Sequence, residues 1–218
     1  MERKSSEMES SDSRNKEGDT RSGMHRHVLP PGQRSIETIL GWNIDHPGIK
    51  SQNPNISRDE WTLTVSGEIE KSVKFSWADF IKLPAEESIS DFHCVEGWSV
   101  LNCHWYGVKF LTLCDFVQTK ENAKSVFFRC YDDYATSLDL GDLLQDDIIL
   151  AYKLDGEDLP VPLGGPLRLI VPKKYAYKSA LWVKEIEFMK DRKLGFWENR
   201  GYSDTADVWK NDRYSRFR

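Results

Sequence analysis

The stretch Asp91-Phe92-His93-Cys94-Val95-Glu96-Gly97-Trp98-Ser99 places a cysteine directly ahead of a turn that contains glycine. The residues before that cysteine, 88–92, are short and partly β-branched, which is typical of a strand, and Gly97 ends the pattern. A thiol at the end of a strand and beside a turn is well placed to reach a ligand. Cys94 has an alternative role as a small buried side chain of the core, because free cysteine is among the most buried residue types.

Strand patterns outnumber helix patterns on either side of this stretch. Residues 61–65 alternate with period two and residues 73–75 follow after a glycine, which predicts a pair of strands. Further strands are predicted at residues 125–130, 147–152 and 167–171. Short helices are predicted at residues 76–83, with Ser76 as N-cap, at 110–117 and at 140–144. Because the chain lacks regular βαβ alternation and internal repeats, the pattern predicts an α+β fold with mixed sheets.

The length of 218 residues fits one domain, and the composition changes at residue 27. Residues 1–27 hold six acidic and six Lys or Arg residues and no aromatic residue, so this segment has neither net charge nor an apolar face. We therefore expect a disordered tail at residues 1–27 and a single domain at residues 28–218.

The charge distribution argues against a nucleic-acid partner. The formal net charge is −5, whereas a phosphate-binding footprint needs clustered surplus Lys and Arg. The local exception is residues 168–178, which hold four basic side chains and no acidic one. A solvated charged loop is one interpretation of this run.

The lack of a recognisable targeting signal and the spacing of the cysteines predict a cytoplasmic chain. The sequence has no apolar signal region, no twin-arginine pair and no run long enough to cross a bilayer, so we expect no membrane association. Cys94, Cys103, Cys114 and Cys130 are separated by 9, 11 and 16 positions, which gives no zinc-finger spacing. Free thiols in a reducing compartment are expected, with Cys114 in the core of the helix at 110–117.

Four blocks of the chain resemble the sulfite oxidase superfamily of molybdopterin enzymes. Residues 92–99 resemble the signature around the molybdenum-binding cysteine. The resemblance is to the single-domain molybdopterin-binding oxidoreductases, similar to the catalytic subunit of the bacterial methionine sulfoxide reductase, more than to true sulfite oxidases. It extends over about residues 28–210 and implies a mainly β molybdopterin-binding fold. The other three blocks are residues 29–33 (LPPGQ), 164–172 with 175–182 (GGPLRLIVP and YAYKSALW), and 195–202 (GFWENRGY).

This resemblance implies the cofactor, molybdopterin with molybdenum, and its ligands. Cys94 matches the position of the protein thiolate that completes the metal site, whereas Cys103 does not match it. Arg168 and Lys178 match the basic block that holds the terminal phosphate, and Ser179 begins the loop that follows.

Four further positions are implied with less direct matches. Cys130 and Asn43 correspond to contacts with the pterin, and the glycine pair at 164–165 is expected to bring the backbone close to the ligand. Leu163 and Leu181 depart from the pattern, because relatives carry polar residues there.

The two histidines near Cys94 are candidate proton-transfer groups. Neighbouring residues on a strand point to opposite faces, so we expect His93 to point away from the metal and to be structural. His104, beyond the turn, is the better candidate for a supporting role.

The sequence therefore predicts a molybdenum-dependent oxidoreductase that transfers an oxygen atom and two electrons to or from a small substrate. True sulfite oxidases follow their cysteine with an arginine pair, whereas this chain has the acidic Glu96, so we expect reduction of an S-oxide or N-oxide in preference to sulfite oxidation. Arg129 or Arg200 folding over the site would restore positive charge.

Two other interpretations of the sequence stay open. A non-catalytic molybdopterin carrier is the main alternative, and a plain structural domain with Cys94 in its core is the other.

The chain has no haem-attachment motif, no iron–sulfur cysteine cluster and no flavin fingerprint, so a separate electron donor or acceptor protein is expected.

Overall fold

Two β-sheets and three short α-helices make up the computed structural model, which describes residues 28–41 and 53–215. The helices are α1 (Trp77–Phe80), α2 (Phe110–Val117) and α3 (Leu140–Leu143). The strands are β1 (Arg34–Ser35), β2 (Thr62–Gly67), β3 (Val73–Ser76), β4 (Glu86–His93), β5 (Trp98–Lys109), β6 (Ser125–Cys130), β7 (Ala135–Asp139), β8 (Ile149–Leu154), β9 (Glu157–Asp158), β10 (Arg168–Ile170) and β11 (Val183–Met189).

The first sheet is organised around β5, its longest strand. Its order is β1-β5-β8-β10, with β4 also paired to β5 and β9 to β8. Strands β4 and β5 form an antiparallel hairpin in which His93 faces Ser99, so residues 94–97 make the connection. Strand β1 runs parallel to the start of β5, with Arg34 opposite Trp98. The cysteine turn therefore lies at the end of a hairpin that β1 flanks.

The second sheet has the order β3-β2-β11-β6-β7. Its middle strand, β11, pairs parallel to β2 and antiparallel to β6. Both sheets thus contain parallel and antiparallel pairs. The prediction of an α+β fold, mainly β with mixed sheets, is confirmed.

Each face of the first sheet carries a buried cluster, because alternate residues of its strands point to opposite sides. On β8, Leu150 joins the main core, which the second sheet and α2 complete. Ile149 and Ala151 join a second cluster on the other face, together with Phe92 and Cys94. The first sheet therefore separates the main core from the cluster that contains the thiol.

Most predicted elements are present, with shifted ends. Residues 61–65 and 73–75 form the antiparallel pair β2 and β3, and residues 125–130 are β6. Ser76 is the N-cap of α1, since its hydroxyl accepts a hydrogen bond of 3.2 Å from the Asp79 amide. Helix α1 ends at Phe80, earlier than predicted. The predicted tail at residues 1–27 lies outside the described residues.

Candidate active site

The turn that carries Cys94 is closed by two backbone hydrogen bonds. The Cys94 amide donates to the Trp98 carbonyl over 2.8 Å, and the Gly97 amide donates to the Cys94 carbonyl over 3.1 Å. Gly97 has a φ of 95°, and a Cβ on it would lie 3.0 Å from the Gly32 carbonyl oxygen. Glycine is required here for both reasons.

Cys94 lines a cavity with mostly apolar walls. Its polar groups come from three side chains, Cys94, Glu96 and Arg168. The apolar wall includes Ile39, Leu40, Phe92, Trp98, Leu163 and Leu181. The thiol, one carboxylate and one guanidinium thus meet in a largely apolar space.

Burial keeps the Cys94 thiol protonated. Cys94 is only 4% exposed, and burial raises the pKa of its thiol to about 12. The Glu96 amide opposes this rise, whereas the Glu96 carboxylate adds to it. The carboxylate lies 3.9 Å from the sulfur and accepts a 3.1 Å hydrogen bond from the Trp98 indole. A metal ion at this thiol would have to displace the proton.

Arg168 brings a buried cation to the same cavity. Its guanidinium donates to the carbonyls of Leu163 (2.7 Å) and Ser179 (3.3 Å) and lies over the Phe92 ring, 4.8 Å from the centroid. The buried Nε has no hydrogen-bond partner. Burial lowers the pKa of Arg168 to about 9. A buried guanidinium with an open donor is suited to an anionic ligand.

A hydrogen-bond chain supports the turn from behind. The Gln33 side-chain amide donates to the Cys94 carbonyl over 3.0 Å, and the Ser99 hydroxyl donates to Gln33 Oε1 over 2.9 Å. The ring Nδ1 of His93 lies 2.7 Å from the Ser99 hydroxyl. Since this oxygen already donates to Gln33, the chain assigns the proton to His93 Nδ1. His93 is therefore buried behind the turn, as the strand alternation predicts.

A family model described as the oxidoreductase molybdopterin-binding domain matches residues 50–197. The chain belongs to this family. It is 33% identical over 198 residues to the uncharacterized oxidoreductase YuiH of Bacillus subtilis, which covers 91% of this chain and 98% of that protein. The resemblance inferred from the four sequence blocks is confirmed.

Other relatives of the molybdopterin-binding domain are longer than this chain. It is 30% identical over 167 residues to MsrP of Campylobacter jejuni, the catalytic subunit of a protein-methionine-sulfoxide reductase. That match covers 69% of this chain and 56% of the relative, and the MsrP of Pseudomonas syringae gives 28% identity with 48% of the relative covered. The chain thus spans about half the length of these reductases.

A solved structure shares the fold. The sulfane dehydrogenase SoxCD of Paracoccus pantotrophus superposes with a TM-score of 0.61 at 18% identity, over 68% of this chain and 42% of that one. At this identity the likeness shows the fold alone.

Molybdopterin with molybdenum is the cofactor of this domain, and the donors in the cavity fit it. Cys94 offers a soft sulfur ligand, and the unpartnered Nε of Arg168 offers a buried donor for an anionic group. The cavity measures about 50 Å³, and its wall includes residues 39–41.

Lys178 does not point into the cavity. It is fully buried in the 3-10 helix Ala176–Lys178, and its ammonium contacts Glu198, the Ser137 carbonyl at 2.9 Å and Asp204 at 3.4 Å. Burial lowers the pKa of Lys178, and the Glu198 charge opposes that shift. The assignment of Lys178 to a phosphate site is not supported by this geometry, because three acceptors in the protein already surround the ammonium.

The other predicted cofactor contacts are absent from the side chains that line the cavity, as far as the structure describes them. Ser179 reaches the site through its carbonyl, which binds Arg168, while its hydroxyl accepts a hydrogen bond from the Val171 amide. Cys130 is buried in the main core at the end of β6 and is absent from the cavity wall. Asn43 lies outside the described residues.

Two further predictions need correction. His104 is exposed and pairs with Glu87 over 2.9 Å on the outer part of the β4–β5 hairpin, so it supports no group in the cavity. The close approach that requires glycine at 165 is to the Leu159 carbonyl, and a Cβ on Gly164 would lie 2.9 Å from that of Arg168. Internal packing by itself therefore requires glycine at both positions.

The two arginines that could have restored positive charge point elsewhere. Arg129 pairs with Glu185 (3.2 Å) and Glu187 (3.0 Å) on the neighbouring strand β11. Arg200 lies over the Phe196 ring, 3.5 Å from its centroid. Arg168 is the basic side chain that lines the cavity.

Two residues that hold the cysteine turn were not assigned a role from the sequence. Gln33 lies within the block 29–33, so its position was marked but its function was not. Arg213 contacts the carbonyls of Val95 and Gly32 from near the C-terminal end of the described chain. No sequence signal marks it, because it recognises backbone atoms, which every residue carries.

Proposed function

We propose that this molybdopterin-dependent oxidoreductase reduces S-oxides, with methionine sulfoxide as the first candidate substrate, in preference to oxidising sulfite. The observation that carries the proposal is the carboxylate of Glu96, 3.9 Å from the Cys94 sulfur in a cavity whose walls are mostly apolar apart from Cys94, Glu96 and Arg168. The MsrP relatives, named as catalytic subunits of protein-methionine-sulfoxide reductases, support the same substrate class.

Charge at the cavity favours a neutral substrate. Sulfite is a doubly charged anion, and a carboxylate beside the metal ligand raises the free energy of docking it. Arg168 donates to the neutral carbonyls of Leu163 and Ser179, and its unpartnered Nε is assigned here to the anionic cofactor. With the Arg168 cation assigned to the cofactor, Glu96 supplies the charge that faces a substrate.

The apolar wall suits the substituents of a sulfoxide. Trp98 is fixed by its hydrogen bond to Glu96, and Leu40 is 53% exposed at the same cavity. A thioether side chain packs favourably against aromatic and aliphatic surfaces. Leu163 and Leu181, which depart from the polar residues of relatives, extend this apolar surface.

Each residue has a distinct part in the proposed reaction. Bound molybdopterin supplies the two-electron redox change and the site that takes the oxygen atom. Cys94 holds the metal, and Arg168 holds the anionic part of the cofactor. Reduction of a sulfoxide consumes two electrons and two protons and releases a sulfide and water. Glu96 is an exposed carboxylate 3.9 Å from the Cys94 sulfur, so we assign it the relay of protons from solvent, with the ionised form as its resting state.

Electrons have to reach this site from a separate protein, since the chain carries no haem, cluster or flavin motif. A cytoplasmic location is part of the proposal and rests on the sequence alone. Within residues 28–41 and 53–215, no helix has the length and apolar character needed to cross a bilayer.

Steady-state assays on one preparation test the proposal. Protein produced in a molybdenum-replete host is assayed with a reduced dye and methionine sulfoxide or dimethyl sulfoxide, and separately with sulfite and an artificial acceptor. Sulfoxide reduction is expected to exceed sulfite oxidation. A preference for sulfite would refute the substrate assignment. One equivalent of bound molybdopterin without turnover of either substrate would favour the carrier alternative.

A further inference from the structure

The Cys94 turn is held by a side chain from the far end of the chain. Arg213 lies 118 positions after Val95, yet its Nη1 donates to the Val95 carbonyl. Its Nη2 donates to the Gly32 carbonyl over 3.1 Å. A Cβ on Gly97 would lie 3.9 Å from both of these nitrogens, so the guanidinium also lies directly beneath the glycine of the turn. One guanidinium therefore contacts the turn and the segment that flanks it.

Arg213 is itself fixed from two sides. Its Nε donates to the Asn211 side-chain oxygen over 2.8 Å, and its guanidinium lies 5.3 Å from the centroid of the Tyr175 ring. The hydroxyl of Tyr175 donates to the same Asn211 oxygen over 3.0 Å. A planar fork held in this way can bridge two carbonyl groups at fixed separation, which a lysine cannot do.

We propose that Arg213 is a positioning residue for the metal ligand: it fixes the backbone of the Cys94 turn so that the sulfur stays directed into the cavity. Gln33 does the same from the neighbouring side through the Cys94 carbonyl. The inference rests on the function proposed above, because it takes Cys94 as the residue that binds molybdenum.

Arg213 binds the Val95 carbonyl of the turn, to which neither the closing backbone bonds nor Gln33 donate. Between the two strands, residues 94–97 make the two backbone bonds that close the turn, and the Arg34 amide donates to the Gly97 carbonyl over 3.0 Å, whereas the Val95 carbonyl is bound by Arg213. Without the guanidinium, the Val95 and Gly32 carbonyls lose a charged donor, and the turn opens more often while the sheets stay folded. Opening of the turn alone should expose the Cys94 sulfur.

Alkylation of the cofactor-free full chain measures that opening. Cys94 and Cys114 are both buried, so each reacts with iodoacetamide only when its surroundings open. Labelling rates for the two peptides are followed by mass spectrometry. In Arg213→Ala, we expect Cys94 to react about tenfold faster than in the unmodified chain, with no change at Cys114. Arg213→Lys should lie between the two, because lysine can bind one carbonyl but not both.

Arg200→Ala is the matched control. Arg200 is another arginine of the C-terminal region, but its contacts are the Phe196 ring and carbonyl, so the Cys94 rate should not change. An unchanged Cys94 rate in Arg213→Ala would overturn the proposal. Equal acceleration at Cys94 and Cys114 would also overturn it, since that result indicates general destabilisation.

A second variant keeps the test independent of one substitution. Should Arg213→Ala not fold, Arg213→Lys decides the matter, with a Cys94-specific increase expected and an unchanged rate contradicting the proposal. Molybdenum content per chain is measured on the same variants, and we expect it to fall in the order of increasing Cys94 labelling. Selective exposure of Cys94 without sulfoxide reduction by the loaded protein would refute the proposed function and leave the positioning role in place.

Discussion

The guanidinium of Arg168 packs on the ring of Phe92, with 4.8 Å between the guanidinium carbon and the ring centroid. Phe92 precedes Cys94 by two positions, so the two side chains leave the hairpin on the same face. Arg168 of β10 packs on this face against Phe92, and it therefore lies close to the thiol that follows β4. Both Arg168 and Cys94 line the cavity as a result.

Replacement of Cys94 by serine should abolish the redox activity and keep the fold. A hydroxyl is far less acidic than a thiol and is a poorer ligand for a soft metal. Turnover and molybdenum content are measured on the purified variant, with circular dichroism as the check on folding. Cys114→Ala is the control, because Cys114 is buried in α2 and outside the cavity. Equal loss of activity in the two variants would contradict the assignment of Cys94.

Arg168→Ala should lower the cofactor content more than it lowers turnover per bound molybdenum. The substitution removes a charged donor worth about 1.5–3 kcal/mol, or about one to two decades in affinity. Molybdenum and fluorescent oxidised pterin are measured per chain. Arg168→Lys keeps the charge but not the fork, so its loading should be intermediate. A normal cofactor content in Arg168→Ala would show that Arg168 does not hold the anionic part of the cofactor.

Lys178→Met should destabilise the fold without a specific effect on the cofactor. The substitution removes the ammonium that balances the buried Glu198 carboxylate, and breaking a buried pair costs about 3–5 kcal/mol. Denaturant titration measures the loss, and Lys178→Met combined with Glu198→Gln should recover part of it. A Lys178→Met chain of normal stability that lacks cofactor would restore Lys178 to the phosphate site.

Alkaline pH should destabilise the fold through its buried thiols. Burial raises the pKa of Cys114 from 9.0 to about 11, so between these values the unfolded chain loses a proton that the folded chain keeps. The contribution of the protonated Cys114 thiol to the free energy of unfolding is fully present below pH 9. It falls by on the order of 2–3 kcal/mol as the pH rises to 11. The free energy of unfolding of Cys114→Ala should therefore decrease less steeply than that of the unmodified chain. Identical slopes from pH 8 to 11 would contradict this.

Local chemistry made much of the fold predictable. Period two marked β2, and the apolar run at residues 125–130 marked β6, because these strands show their burial in their own sequence. Strand β11 was not predicted, although it is the middle of its sheet. Its sequence, VKEIEFM, places charged residues between apolar ones, and Arg129 on β6 pairs with two of those carboxylates. The charges of these carboxylates are compensated only when β6 and β11 are paired, so the sequence of β11 by itself does not indicate a central strand.

The candidate site was also predictable in part from the sequence. The cysteine turn was identifiable because glycine, thiol and strand occur within nine consecutive residues. The ion pair of Lys178 was not predicted, because a basic residue in a basic run gives no indication of a buried carboxylate twenty positions later. Arg213 was missed, because the groups it binds are backbone carbonyls of residues distant in sequence.

The place of β11 in the second sheet governs the order in which a growing chain can fold. Strands β2 and β3 form one hairpin, β6 and β7 form another, and β11 joins them. An isolated two-stranded hairpin is marginally stable in water. About 120 residues separate the end of β2 from the end of β11, which takes about 6–25 s at ordinary rates of synthesis. During this interval the apolar face of the β2–β3 hairpin, and from residue 139 onward that of the β6–β7 hairpin, is open to chaperones or to neighbouring nascent chains, so translation speed over residues 68–189 bears directly on the yield of folded enzyme.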